Sequence, residues 1–305
     1  MERLHKLSSH LRGVHADSRE QVAANPTAAA QEPEVLYEVV EGGVAIIRLN
    51  RPSRLNALTG SMQAAYFDTL DQANADPLVR VIVVTGSGRG FCAGAEMDLL
   101  KTIGSKDGEV SKVASQPKRD LRQTQALAVL KPIIAAINGP VAGLGFVLAT
   151  MCDIRFAVEK AKFTSAFAKR GLVAEHGISW MLPKVVGASN ANDILMSSRV
   201  FLGHEAKEMG FVTRVYPDQE TLMREVLAYA RDMAVNCSPA ALAEMKVQVY
   251  DDFLKTPLQS IDHANGLMAK SFAHPDSKEG VASYVEKRAP NFQGLAFGRI
   301  MDTTP

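Results

Sequence analysis

The sequence has few of the features that mark a disulfide-stapled, zinc-binding or nucleic-acid-binding protein. Its 305 residues contain three cysteines, Cys92, Cys152 and Cys237, which are widely spaced and form no Cys-x-x-Cys pair. An odd number of isolated cysteines argues against a disulfide framework and a structural zinc site. We therefore expect a reducing compartment: the cytoplasm or, in a eukaryote, the mitochondrial matrix or peroxisome. The formal net charge of +1 gives no reason to expect nucleic acid or an acidic membrane surface as a partner.

Long hydrophobic runs and several catalytic signatures are missing as well. No apolar run reaches the length that spans a bilayer, so no membrane span is expected. No Gly-x-Ser-x-Gly motif marks a serine hydrolase. Gly139 to Gly145 has a glycine spacing like that of short-chain dehydrogenases, but no tyrosine is followed by a lysine four residues later, which disfavours a nicotinamide-dependent enzyme. No cluster of histidine, cysteine or acids has a metal-ligand spacing, so no metal is expected.

Composition and pattern divide the chain into three parts. Hydrophobic residues make up 47% and charged residues 22% of the sequence, which is typical of a globular protein with a sizeable core. Residues 1–34, with leucines on one helical face followed by an Ala- and Pro-rich stretch, are predicted to be a flexible extension or a short docking helix. Residues 35–237 are predicted to form the core. Residues 238–305 are predicted to form a helical region that packs on a partner subunit.

Strand and helix patterns alternate along the core. The predicted strands are Val35–Val40, Val44–Leu49, Val79–Thr85 and Pro132–Ile137, and the predicted helices are Thr59–Ala75 and Arg119–Leu130. This alternation predicts an α/β layer architecture. The polar segment Lys101 to Lys118 is predicted to be mobile and to cover a pocket. From Gln219 onward the pattern is helical, with breaks before Pro239, Pro257 and Pro275.

Two glycine-rich loops follow buried strands. Gly86 to Leu100 contains four glycines and follows the Val79 strand, while Gly143 and Gly145 lie between the Pro132 strand and the apolar helix start Phe146–Met151. The first N–H groups of a helix lack internal partners, and glycines let a ligand oxygen approach them closely. Two such loops are able to direct two backbone N–H groups at one point, as a developing oxyanion requires.

Four segments carry a resemblance to a known family. They are GFCAGAEMDL (90–99), KPIIAAINGPVAGLGFVLATMCDI (131–154), NRPSRLNAL near the start and KEGVASYVEKRAPNF near the end. In order and spacing they resemble the motifs of the crotonase superfamily, the enoyl-CoA hydratases and isomerases, over Val35 to about Phe292. The resemblance implies a spiral of ββα units with a C-terminal helical region, assembled as a homotrimer or a dimer of trimers. It also implies an acyl-CoA thioester substrate; because CoA is part of that substrate, no separate cofactor is implied.

The resemblance further implies a set of site residues. The thioester oxygen would be held by the backbone N–H groups of Ala95 and Leu144, at the positions of the family's oxyanion hole. The other positions implied to contact substrate are Arg54, Ala93, Met97, Asp98, Tyr284 and Lys287 for CoA, and Gly143, Val147, Phe167 and His176 near the acyl group.

Two departures from the family pattern bear on the chemistry. The hydratases carry two glutamates, which activate water and deliver a proton to the α-carbon. The matching positions in this chain are Val147 and Phe167, and neither side chain holds a water or moves a proton. The sequence therefore disfavours a hydratase of the usual type. Two alternatives to the isomerase activity described next stay open. They are a hydratase with a non-standard site and a catalytically impaired, acyl-CoA-binding member of the family.

Glu175 offers a replacement acid in the loop before another predicted helix. The segment RGLVAEHGISWMLP (170–183) is similar to the single-carboxylate Δ3,Δ2-enoyl-CoA isomerases, which have a glutamate at this step. One carboxylate suffices to move a proton from C2 to C4 through an enolate, and an apolar lining from Val147 and Phe167 keeps water away. By spacing alone, Glu175 is more simply an acid that stabilises a helix N-terminus. His176 orients Glu175, relays a proton or caps the same turn.

Overall fold

A computed structural model of the chain describes residues 32–96 and 122–297. In this part of the chain, nine strands form two sheets. They are β1 (Val35–Val40), β2 (Val44–Leu49), β3 (Val81–Gly86), β4 (Ile133–Ile137), β5 (Val141–Ala142), β6 (Ile154–Val158), β7 (Lys162–Thr164), β8 (Phe201–Leu202) and β9 (Arg214–Tyr216). The larger sheet has the strand order β1-β2-β3-β4-β6-β9, and the smaller has the order β5-β7-β8.

The hairpin of β1 and β2 stands at one edge of the larger sheet and is antiparallel, whereas the other strand pairs of that sheet are parallel. Its register pairs Val40 with Val44. The turn between them contains Gly42 and Gly43, with φ of 89° and 77°, a backbone region that glycine adopts without strain. The hairpin predicted from the sequence is confirmed with the same bounds.

β3 and β4 lie in the middle of the larger sheet and are buried along their whole length. Both read as near-continuous apolar runs because a central parallel strand is covered on both faces. The strand predicted from Val79 begins at Val81 instead, since the Val79 N–H donates to the Asp76 carbonyl in a turn (3.1 Å). The strand predicted from Pro132 is confirmed from Ile133 onward.

The described residues also form nine α-helices. They are α1 (Gly60–Ala75), α2 (Gln125–Ala128), α3 (Leu144–Met151), α4 (Ile178–Asn192), α5 (Gly203–Glu208), α6 (Gln219–Asn236), α7 (Pro239–Asp252), α8 (Pro257–Ala273) and α9 (Pro275–Glu286). The last three begin at the three prolines that the sequence marks as breaks, because proline is well suited to the first position of a helix and poorly suited to its interior. The mixed α/β class and the helical C-terminal part are confirmed.

The helix predicted over Arg119–Leu130 is much shorter in the structure. Within the described part of that range, a 3₁₀ turn at Arg122–Thr124 and the four residues of α2 are helical. The chain then becomes extended, and the Leu130 N–H donates to Oδ1 of Asn74 at 3.1 Å instead of to a helical carbonyl. Gly145, predicted in a loop, is the second residue of α3.

Some predictions fall on residues outside the described ranges. They concern nearly all of the extension 1–34, the covering segment Lys101–Lys118, and the substrate contacts Met97 and Asp98. The division of the remaining chain at residues 237 and 238 stays a prediction. Among the helices of residues 32–96 and 122–297, none combines the length and hydrophobicity needed to cross a membrane.

Candidate active site

The two glycine-rich loops, one after β3 and one after β4, are hydrogen-bonded to each other. The Cys92 N–H donates to the Pro140 carbonyl at 3.2 Å, and the Ala142 N–H donates to the Cys92 carbonyl at 3.0 Å. The Asn138 side chain strengthens this pairing, since its Nδ2 donates to the Gly86 carbonyl at 2.9 Å and its Oδ1 accepts from the Gly86 N–H at 3.1 Å. The carboxyl ends of the two central strands are therefore fixed relative to each other.

The backbone N–H groups of Ala95 and Leu144 take no part in the hydrogen bonds between the two loops. Leu58 bridges the Ala95 segment by donating to the Gly94 carbonyl (2.7 Å) and accepting from the Glu96 N–H (3.1 Å). Because successive N–H groups of an extended chain point to opposite sides, the Ala95 N–H faces away from Leu58. Leu144 is the first residue of α3, where an N–H has no partner within the helix. Neither N–H has an acceptor among the described residues.

Gly94 allows the two loops to approach closely at this point. Its φ of 98° lies in the left-handed region. A Cβ at this position would lie 2.8 Å from the Ala142 carbonyl oxygen and 3.5 Å from the Leu144 nitrogen. A side chain therefore does not fit between the loops, and the peptide that joins Gly94 to Ala95 lies beside the start of α3.

A cavity of about 440 Å³ is lined by both loops and by the segment from Ser165 to Glu175. This volume is within the range of small-molecule sites in proteins. The predicted site residues that line it are Arg54, Ala93, Ala95, Gly143, Leu144, Phe167 and Glu175. Residues from four separate parts of the chain are thus brought to one place.

Glu175 reaches the cavity from the turn that precedes α4. Its side chain is 39% exposed, and Oε2 of its carboxylate lies 3.4 Å from Nε2 of His176. The Glu175 carbonyl accepts from the Ile178 N–H at 3.1 Å, which fixes the backbone of this turn. Among the described residues, His176 is the one partner of the Glu175 carboxylate.

A second acid, Glu96, also lines the cavity, but arginines hold it. Nη2 of Arg51 donates to its Oε1 at 3.1 Å, and Nη1 of Arg51 lies 3.0 Å from its Oε2. Nε of Arg54 lies 4.0 Å from the same carboxylate. A guanidinium that contacts both carboxylate oxygens holds the Glu96 side chain in a fixed position at the edge of the cavity. Glu175 is the lining acid that has no arginine partner among the described residues.

The two positions that match the hydratase glutamates are apolar and buried. Val147, on α3, is fully buried and does not line the cavity, whereas Phe167 is 5% exposed and does. Neither side chain brings a polar atom to the cavity. The wall beside the two N–H groups is therefore apolar at Phe167.

The predicted contacts from the C-terminal helices lie elsewhere in this chain. Tyr284, on α9, is 86% exposed, and Lys287 follows the last residue of that helix in a left-handed conformation with φ of 54°. Neither residue lines the cavity. His176 does not line it either, and its Nε2 lies 3.4 Å from Oε2 of Glu175. The contacts of Tyr284 and Lys287 with CoA stay a prediction.

Sequence reasoning did not identify several lining residues. They are Ala57, Gly94, Glu96, Ser165, Ala166, Arg170 and Leu172. Glu96 pairs with Arg51, 45 positions away. The Ser165 hydroxyl donates to the Ile194 carbonyl at 2.8 Å. Such long-range pairings leave no local pattern from which these residues could be found.

Cys92 lies close to the candidate site without taking part in its chemistry. It is fully buried, and desolvation raises the pKa of its thiol to about 12, against a smaller lowering by a hydrogen bond from the Gly94 backbone. A thiol with this pKa stays protonated at neutral pH and is not a nucleophile. In the parts of the chain that the structure describes, no group of three or more histidines, cysteines or acids is arranged to hold a metal ion.

Comparison with known proteins decides the family. A family model described as enoyl-CoA hydratase/isomerase matches residues 40–295. The chain belongs to the enoyl-CoA hydratase/isomerase family. The two glycine loops, the cavity and Glu175 all lie within the matched range, so the site described above is a part of this family's fold.

Three relatives from this family illustrate the match. The 1,2-epoxyphenylacetyl-CoA isomerase of Escherichia coli K12 is 33% identical over 263 residues, which are 86% of this chain and 99% of that protein. A solved structure of an enoyl-CoA hydratase from Mycobacterium marinum is 45% identical, with a TM-score of 0.61 and coverage of 73% of this chain and 99% of that one. A solved structure of enoyl-CoA hydratase subunit I from Geobacillus kaustophilus HTA426 is 32% identical, with a TM-score of 0.76 and coverage of 86% and 99%.

These matches confirm the crotonase-type fold and the membership in the enoyl-CoA hydratase/isomerase family. They span nearly the full length of the relatives. The relatives' names include both isomerases and hydratases. Membership in the family therefore gives the general class of enzyme and does not decide between isomerisation and hydration.

Proposed function

We propose that the protein is an isomerase that moves the double bond of an enoyl-CoA thioester from the Δ3 to the Δ2 position, with Glu175 as its single base. The observation that supports the proposal is the position of one acid relative to two backbone N–H groups. The one lining acid not held by an arginine, Glu175, shares a cavity with Ala95 and Leu144, whose N–H groups have no acceptor among the described residues. A proton acceptor beside two fixed donors is what an enolate intermediate requires.

The reaction uses these groups in two steps. The thioester oxygen accepts hydrogen bonds from the N–H groups of Ala95 and Leu144, and Glu175 takes a proton from C2. The electron pair of the broken C2–H bond forms the C1=C2 double bond of an enolate, and the π electrons of the carbonyl move to its oxygen, whose negative charge the two donors stabilise. As the carbonyl forms again, the double bond moves from C3–C4 to C2–C3 and C4 takes the proton from Glu175. One proton has moved from C2 to C4, and no water is consumed.

Hydration, the other activity named among the relatives, requires a second polar group to hold and activate water. At the two matching positions the chain has buried Val147 and Phe167. An apolar wall protects an enolate from water and strengthens its hydrogen bonds to the backbone donors. The relative from Escherichia coli that is named an isomerase agrees with the proposal in reaction class.

We assign the CoA part of the substrate to the exposed rim of the cavity. Arg54 lines the cavity with a side chain that is 66% exposed, so its guanidinium is able to meet a phosphate from solvent. Ala93 also lines the cavity. The proposed contacts include Met97 and Asp98, which lie outside the described residues. Tyr284 and Lys287 are proposed to reach the CoA of a neighbouring subunit. No cofactor other than the CoA of the substrate is proposed.

Large exposed side chains on the C-terminal helices support an oligomer. The large hydrophobic residues exposed on α7, α8 and α9 are Met245, Val249, Leu258, Ile261, Met268, Phe272, Val281, Tyr284 and Val285. A concentration of apolar surface on neighbouring helices is typical of a protein–protein interface. We therefore propose that copies of this chain assemble through α7 to α9, as a homotrimer or a dimer of trimers.

The test supplies a 3-enoyl-CoA and a 2-enoyl-CoA separately and follows the absorbance of the conjugated thioester. The expected result is conversion of the 3-enoyl substrate and no 3-hydroxyacyl product from the 2-enoyl substrate. Glu175→Gln is expected to keep acyl-CoA affinity and to lose about 10²- to 10⁴-fold in turnover. Glu159→Gln, at an exposed position away from the cavity, is the matched control. Hydration of the 2-enoyl substrate, or tight binding without turnover of either, would overturn the proposal.

A further inference from the structure

His176, next to the proposed base, has a backbone conformation that is uncommon for a residue with a side chain. Its φ is 54°, in the left-handed region, and the following residue, Gly177, has a φ of 75°. Glycine adopts this region freely, whereas other residues are strained there. A glycine at position 176 would remove the strain. A strained residue beside a reactive group indicates a function for its side chain.

The strained turn brings two neighbouring side chains together. In an extended chain the side chains of consecutive residues point to opposite sides. Two consecutive left-handed residues fold the chain back instead, and Nε2 of His176 lies 3.4 Å from Oε2 of Glu175. The His176 side chain is 26% exposed and the Glu175 side chain 39%, so both are partly shielded from solvent.

We infer that His176 is the positioning residue for Glu175: its ring holds Oε2, so that Oε1 is the oxygen that exchanges protons with the substrate. This inference rests on the proposed role of Glu175 as the base. The approach of the His176 ring, at 3.4 Å, is the one side-chain contact of the Glu175 carboxylate that the structure shows among the described residues. Without the ring, a carboxylate on a partly exposed, flexible side chain samples several rotamers.

Positioning matters here because one carboxylate serves two carbon atoms. The same group must take the proton from C2 and deliver it to C4 before solvent replaces it. A displacement of about 1 Å at a reacting group lowers the rate by about 100-fold. A carboxylate that turns toward solvent also exchanges its proton with water. Loss of the ring is therefore expected to slow the reaction and to increase exchange with solvent.

Two variants separate the effect of the His176 ring from the effect of the backbone strain. His176→Gly removes the ring and relieves the strain, whereas His176→Asn tolerates the left-handed conformation and keeps a hydrogen-bond donor. For His176→Gly we expect unchanged or higher thermal stability, unchanged KM and a kcat lowered about 10- to 100-fold. For His176→Asn we expect a kcat between the values of wild type and His176→Gly. In deuterated water, the product of His176→Gly is expected to carry more deuterium at C4 than the wild-type product.

The outcomes distinguish this inference from the proposed function. If Glu175→Gln keeps full turnover, both are overturned. If Glu175→Gln loses turnover while His176→Gly keeps the wild-type kcat and deuterium content, only the role of His176 is overturned. A lowered kcat of His176→Gly that comes with lowered thermal stability and unchanged deuterium content would assign His176 a merely structural role, which also overturns the inference.

Discussion

Arg51 binds both carboxylate oxygens of Glu96, which stands 45 positions later in the chain. The two side chains are 19% and 21% exposed, so water screens this pair less than a surface ion pair. Nη1 of Arg51 also donates to the Ala57 carbonyl at 2.6 Å. Since Ala95 precedes Glu96 directly, we expect this ion pair to help hold the backbone that carries the N–H proposed to bind the thioester oxygen.

The Arg51 contact predicts a loss of turnover in Arg51→Lys. An ammonium keeps the charge but does not hold both oxygens of Glu96 in a fixed plane. The Ala95 N–H then loses its alignment, and we expect kcat to fall about 10-fold at little change in KM. Arg48→Lys, at an exposed pair with Glu38 (3.4 Å), is the control for a lost arginine. Equal kcat values for both variants would contradict this role of Arg51.

Leu144 permits the removal of a single backbone donor. Leu144→Pro deletes the N–H at the first position of α3, where proline is tolerated because that N–H has no helical acceptor. Loss of one oxyanion donor typically costs about 10²- to 10³-fold in rate, and we expect kcat to fall by that factor. Leu144→Ala keeps the N–H and controls for the lost side chain. A similar kcat in both variants, measured with equal thermal stability, would show that the N–H is not used.

Lys131 predicts a pH dependence of stability. It is 3% exposed, and its ammonium donates to the carbonyls of Ala73 and Asp76 at 2.8 and 2.5 Å. Desolvation lowers the pKa of Lys131 from 10.5 to about 8, partly opposed by the charge of Asp76. Between these two pH values the unfolded chain binds more protons than the folded one, so this residue makes the free energy of unfolding rise with pH.

Denaturant unfolding from pH 7.5 to 10.5 checks this sign. The contribution of Lys131 is the difference in free energy of unfolding between wild type and Lys131→Met, which removes the titrating group. The free energy of unfolding of the wild type is expected to increase relative to that of the variant as the pH rises through about 8. A difference that is constant across the window, or that shifts in favour of the variant, would contradict the lowered pKa.

The apolar surface of α7 to α9 predicts that Phe272→Glu lowers the mass of the assembly in solution. Phe272 is 69% exposed on α8, and a carboxylate there is costly to bury in an interface. Light scattering is expected to give the mass of a trimer or hexamer for the wild type and a lower mass for the variant. Leu78→Glu, at a residue 74% exposed between α1 and β3, is expected to leave the mass unchanged. A monomeric wild type would exclude this assembly.

Local patterns were sufficient where an element is determined by its own residues. The hairpin of β1 and β2 and the proline-led starts of α7, α8 and α9 follow from turn glycines, apolar runs and prolines. The short α2 could not be predicted because its end depends on the Asn74 side chain, far away in sequence.

The candidate site shows the same division. Ala95, Leu144 and Glu175 were placed by their resemblance to family motifs, and the structure brings all three to one cavity. The binding of Glu96 by Arg51 and the left-handed backbone of His176 were not predicted. The first is a long-range contact, and the second is a conformation that no nearby pattern demands.

The hydrogen bonds between Cys92, Pro140 and Ala142 also have a consequence for the order of folding. They join segments about fifty positions apart, and such non-local pairings form slowly compared with helices. A refolding chain is therefore expected to regain helical circular dichroism before it regains turnover. During synthesis, the reaction centre is complete only after Glu175 has left the ribosome.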